Sequence, residues 1–267
     1  MAFEKVGDSY KSAVAEQCDY NHALLVGDKI WLFGKKFVSQ PTFNWGHHVG
    51  FVGSYAIAFN TADNKWEDSH TYPALSNEEN VEEKMFVLNG AAHTLLYTAF
   101  GEVAMSSLHK WTGNSFEPVN LQSFAPIPGS EKSARVTMEV ADSADESTKY
   151  IITTMEHQMR VARLTSSGDS ATIEHLFDIP AEGILSLAQA TSAVVSGERL
   201  LVCFGVHGCG FRWESGRIIA CDLGSKSCQT LEISSDPKPH WGFNGANGYG
   251  LLPSGAWVHA AGSVPRG

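Results

Sequence analysis

The feature that most constrains this 267-residue chain is a strand–turn–strand unit that recurs along it. The first copy runs His22-Ala23-Leu24-Leu25-Val26, turns at Gly27-Asp28-Lys29, and returns as Ile30-Trp31-Leu32-Phe33 to a stop at Gly34. β-Branched and aromatic residues interrupted by a Gly-containing turn are hairpin chemistry. The unit returns over 85–101 around Asn89-Gly90, over 135–154 around a polar turn, over 191–205 around Ser196-Gly197-Glu198, and over 248–262 around Pro253-Ser254-Gly255.

A second hairpin follows the earlier copies. Phe59 leads through a polar turn to Trp66, Cys221 through another to Cys228, and His109 past Gly113-Asn114 to Phe116, each pair seven positions apart. Residues 161–176 fill the same place around Ser166-Ser167-Gly168-Asp169. The last unit has no second half. Phe3 and Tyr10, also seven apart around Val6-Gly7-Asp8, supply it from the other end of the chain. The expected fold is therefore all-β, a five-bladed β-propeller of four-stranded antiparallel blades closed by pairing the N- and C-terminal segments. It is a single domain over 1–267, with blades at about 20–70, 84–121, 134–178, 189–233, and 245–267 together with 2–14.

Two stretches carry a family resemblance. Phe59-Asn60-Thr61-Ala62-Asp63-Asn64-Lys65-Trp66 resembles the aromatic, turn and Trp segment of the kelch repeat, and residues 22–34 resemble its first strand pair. The match is to the kelch and galactose-oxidase type of propeller and lies in the first blade. Elsewhere the kelch double glycine is reduced to one Gly, and Phe116, Cys228 and Tyr10 stand in the Trp position. The resemblance implies a fold and no one activity, because propellers host many functions.

Composition excludes several classes. With 43% hydrophobic residues the chain has the material for a core. A net charge of −10 without a basic block argues against nucleic acid as partner. The apolar runs fall short of the roughly 18 residues of a membrane helix, and residues 1–5 lack the pattern of a secretory signal. Five cysteines, an odd number, read as reduced thiols in a cytoplasmic, monomeric protein. No phosphate-binding glycine loop, nucleophile elbow or calcium loop is present.

In a propeller, the loops entering each first strand and leaving each second strand share one face. That rule gathers Asn21, His22, Lys84, Arg135, Gln189 and 244–247 with Lys35, Lys36, Glu102, Glu156, His157, His207 and Ser263. Aromatic groups join them: Trp45 in the connection 35–54, Trp213, and Trp241 before the last unit. The acidic segment 76–83 reads as a solvated linker. The favoured function is non-catalytic recognition of a protein or a glycan through His22, Lys36, Trp45, His47, Arg135, Asn244, Asn247 and Trp241. The alternative is a small-molecule hydrolase or lyase at the axial mouth, using Glu102 or Glu156 with His157 or His207. No cofactor is expected. The metal alternative is a divalent transition ion on His22, His157 and His207, with an open position.

Overall fold

Tight turns organise the chain where Gly and Asn take conformations that other residues resist. Gly27, Gly168 and Gly197 all lie at φ near +60°, each between two paired strands. The computed structural model describes residues 18–41, 47–76, 81–98, 105–122, 136–155, 158–180, 188–206, 217–231, 247–251 and 257–261. Those residues form strands and turns, with no helix long and apolar enough to cross a membrane. They cluster into two compact units, one of 1–97 with 105–121 and one of 98–104 with 122–267.

The first unit holds two sheets. One is a meander of β1 (Cys18–Val26), β2 (Lys29–Pro41), β3 (His47–Asn60) and β4 (Lys65–Trp66), with β5 (His70–Tyr72) also paired to β3. The outer strand is thus split: Trp66 lies opposite Phe59, and Tyr72 lies opposite Ser54. The Asn60 side chain closes the intervening turn by accepting from the backbone N–H groups of Ala62 and Asp63. The second sheet orders β6 (Val81–Leu88), β7 (Ala91–Thr98), β8 (Met105–Trp111) and β9 (Phe116–Gln122). First strands β1 and β6 lie side by side. Between the sheets Trp31, Phe33, Ala56, Ala58 and Tyr72 pack on Met85, Ala92, Trp111 and Phe116. The Trp111 and Phe116 rings are 5.0 Å apart and Phe33 and Trp111 5.3 Å, in the tilted and edge-on contacts aromatic quadrupoles favour.

The second unit repeats the plan. It has β10 (Thr137–Asp142), β11 (Thr148–Met155), β12 (Gln158–Ser167) and β13 (Ser170–Pro180) in one run. The next sheet comprises β14 (Ala188–Ser196), β15 (Arg199–Val206), β16 (Arg217–Asp222) and β17 (Cys228–Leu231). Here β10 and β14 lie side by side, and Ile152, Val161 and Phe177 pack on Leu200, Val202 and Ile219. A separate hairpin joins β18 (Asn247–Leu251) to β19 (Trp257–Ala261). Four-stranded antiparallel meanders with first strands adjacent and faces packed are propeller-type blades.

Several expectations change on contact with the structure. The connection 35–54 is largely strand: β2 and β3 stay paired beyond a bulge at Lys36/Phe37, out to Pro41 opposite His47. Its Gly and polar content masks two runs of Phe and Val that form a ladder. The expected linker 76–83 already belongs to β6 from Val81. Phe116 lies opposite Trp111 rather than His109, because Thr112 N–H closes a tight turn onto the Ser115 carbonyl at 2.9 Å. Cys221 and Cys228 are not reduced thiols but a disulfide between directly opposite residues of β16 and β17. Residues 2–14, the expected outer strands of the last blade, lie outside the described residues.

Candidate active site

Lys35, Ser54 and Tyr72 face one another in a row across β2, β3 and β5. Opposite positions of antiparallel strands share a face, so the three side chains rise together. Phe33, two positions before Lys35 on that face, meets the Tyr72 ring edge-on at 6.4 Å. The phenol is therefore held from below by the aromatic core, and its hydroxyl hydrogen-bonds with Ser54. Both residues are buried.

Glu83 comes to this row from β6 of the neighbouring sheet. Its carboxylate accepts from Lys35 Nζ at 2.7 Å, with the glutamate side chain only 15% exposed. His22 on β1 completes the group, within electrostatic reach of Glu83, Lys84 and Lys35. At the preceding position of β6, on the opposite face of the strand, Glu82 Oε2 accepts from the Tyr97 hydroxyl at 2.7 Å. Each sheet element contributes a part: β1 a histidine, β2 a lysine, β3 a serine, β5 a tyrosine, β6 a carboxylate.

Burial displaces two of these groups in opposite charge senses, toward neutrality in both cases. For His22, burial comes first and lowers the pKa; Glu83 opposes, and Lys84 and Lys35 add to the lowering. The imidazole is thus kept uncharged at neutral pH, as a proton acceptor. For Tyr72, burial raises the pKa, the Glu83 charge raises it further, and the Ser54 hydrogen bond works against both. The phenol stays a donor. An ion-paired carboxylate, a neutral imidazole and a protonated phenol on one surface can take a proton at one point and donate a hydrogen bond at another.

Sequence reasoning reached part of this group. His22, Lys35 and Lys84 all fall under the rule that gathers loops at the axial mouth. Glu83 escapes it because an acidic run before a strand reads as solvated, although Val81 and Met85 already carry the alternating pattern of β6. Tyr72 and Ser54 escape because the split outer strand has no periodic signature. Of the other expected site residues, Lys36, His47 and Asn247 lie on strands β2, β3 and β18, where only the backbone is described. Trp45, Glu102, Arg135, Glu156, His157, His207, Trp241 and Asn244 lie outside the described residues. Among the described residues no three His, Cys, Asp or Glu side chains gather as a metal would require. The trio His22, His157 and His207 has only its first member there.

No protein-family model matches the chain, and no curated protein matches it. The kelch assignment therefore has no support beyond the first-blade residues. Several solved structures are similar to the chain over much of its length. They include a glycosyl hydrolase from Bacteroides ovatus (TM-score 0.44, 9% identity, covering 78% of this chain and 68% of that one). An α-L-arabinofuranosidase from Clostridium thermocellum has TM-score 0.47 and 12% identity, over 88% of this chain and 78% of that one. An α-L-arabinofuranosidase from Podospora anserina, in complex with cellotriose, has TM-score 0.40 and 10% identity, over 81% and 68%. The first is named as a glycosyl hydrolase and the other two as α-L-arabinofuranosidases. Those names stand against the expectation of a non-catalytic module recognising a protein partner or a glycan, which is corrected to that extent. Likeness this distant transfers no activity, so the chemistry of this chain has to be argued from its own side chains.

Proposed function

We propose that the chain is a hydrolase, acting at the surface formed by His22, Lys35, Tyr72 and Glu83 on a neutral, hydroxyl-rich substrate of the glycoside class. The observation that carries this reading is the Lys35–Glu83 ion pair set beside a half-buried neutral histidine and a buried protonated tyrosine. Cation and carboxylate offset each other, which suits an uncharged polyol better than a phosphorylated ligand. Glu83 deprotonates the attacking water while Lys35 holds its carboxylate in place. As the bond from the anomeric carbon to the glycosidic oxygen breaks, Tyr72 donates a hydrogen bond to that oxygen, and His22 carries the proton taken up by Glu83 to it, so that it leaves as a hydroxyl.

The proposed chemistry uses side chains alone. Turnover that survives EDTA is the expected result. The repeats further support five blades, with residues 2–14 completing the one begun by β18 and β19. Deleting 2–14 should lower the melting temperature.

The test is a panel of nitrophenyl glycosides, arabinofuranosides among them, assayed on the chain and on Glu83→Gln. Turnover reduced by about 100-fold or more in the variant supports the reading. A panel with no turnover and no sugar-induced thermal shift overturns it.

A further inference from the structure

We propose that the Cys221–Cys228 disulfide is a thiol-exchange site, opened at Cys228, whose reduction releases the outer strand β17 from its sheet. The bond joins directly opposite residues of β16 and β17. Its two ends differ in access. Cys221 is fully buried among Val161, Leu200, Val202 and Ile219, whereas Cys228 is exposed.

Comparison among the outer strands shows why this bond matters. In the first sheet the same two places, also seven positions apart and directly opposite, hold Phe59 and Trp66 with ring centroids 5.2 Å apart. On β9 the anchor is Phe116, buried on Trp111; on β13 it is Ala171, Ile173, Phe177 and Ile179, all buried. All four side chains of β17 are exposed, Leu231 included. Beyond its ladder to β16, the strand is fastened by one covalent bond where its counterparts are fastened by buried apolar side chains. The preceding turn does not depend on it. Asp222 Oδ1 accepts from Ser225 N–H at 2.7 Å, and Asp222 N–H donates to the Ser227 carbonyl at 2.9 Å.

A reductant has a route in. Cys228 and Thr230 line a cleft of about 290 Å³ with Ile219 and with Asp178 and Ile179 of β13. Lys226 stands in the same cleft as the positive charge that favours an incoming thiolate, opposed by Asp178. A dithiol's thiolate attacks Cys228 Sγ, forming a mixed disulfide and breaking the bond to Cys221, whose sulfur leaves with the electron pair and is protonated. The dithiol's second sulfur then attacks the first, expelling Cys228 as a thiolate and leaving the dithiol oxidised to its cyclic disulfide. Two electrons pass from dithiol to protein, and no other reactant is needed.

Hydrogen exchange on the full chain, purified under air and compared before and after dithiothreitol, tests this. Reduction should speed exchange at residues 229–231 by about tenfold or more while Ser225 and strands β14 and β15 keep their protection. The Cys228→Ser variant should show the fast pattern from the start and ignore dithiothreitol. Unchanged exchange at 229–231 on verified reduction overturns the proposal. So do free thiols at both positions in the air-purified protein, or equal loss of protection across all of β14 to β17. None of these outcomes bears on glycoside turnover.

Discussion

Glu83 and Lys35 meet at 2.7 Å with the lysine a third exposed, so on the proposed reading removing the pair is expected to cost little stability and much turnover. Glu83→Gln is expected to keep the unfolding free energy within about 1 kcal/mol of the parent. Its kcat should fall by about 10² to 10³, as denaturant titration and steady-state kinetics would read. Tyr72→Phe separates ring from hydroxyl. The phenyl ring still fills its place among Phe33, Trp111 and Phe116, so the core persists. The lost hydroxyl leaves buried Ser54 short of a partner, at about 1 kcal/mol. An unchanged kcat/KM in Tyr72→Phe would remove the tyrosine from the mechanism.

At the scale of elements, clamps and turns can be weighed separately. Trp66→Ala removes the Phe59 contact that fixes β4, and about 2 kcal/mol of destabilisation is expected in urea unfolding. Gly168 sits at φ +61° with nothing within 4 Å of where a Cβ would stand, so Gly168→Ala tests backbone conformation alone. About 1 kcal/mol is expected, and no change would show that the turn relaxes freely. Such turns are why the hairpins were readable: Gly27, Gly90, Gly168 and Gly197 mark reversals in the sequence and take positive φ in the structure. The spacing of Phe59 and Trp66 translated directly into a cross-strand pair, whereas that of His109 and Phe116 did not, since Thr112 and Ser115 shorten the turn. Half of the site stayed hidden for a different reason. Periodicity reports which residues share a strand face, but Glu83 reaches Lys35 from another sheet, and only packing creates that neighbourhood.

For the molecule as a whole, acid is the revealing variable. His22, His93 and His109 all have pKa values lowered by burial, in His93 with the Ala91 carbonyl working the other way. The unfolded chain therefore takes up these protons first as pH falls through about 6.5, so folding is favoured above that point and weakens below it. Asp178 adds a lower step: burial pushes its pKa up, but Arg160 and His175 outweigh that and hold it below the ordinary value, so protonation there loosens the fold again. A urea midpoint falling between pH 7 and 5, with a shallower slope in His93→Gln, is the expected outcome. A flat profile would mean that the three imidazoles protonate equally well in both states. The extension of β2 and β3 has a consequence at this scale too. From Phe37 to Pro41 the ribbon adds five residues to β2, roughly 17 Å at about 3.3 Å each, and it springs from the very row that holds Lys35 and Ser54. For the hydrolase proposed above, the expected consequence of so long a ribbon springing from that row is a preference for substrate ends, and replacing 37–51 by a short turn should raise turnover of internal over terminal linkages.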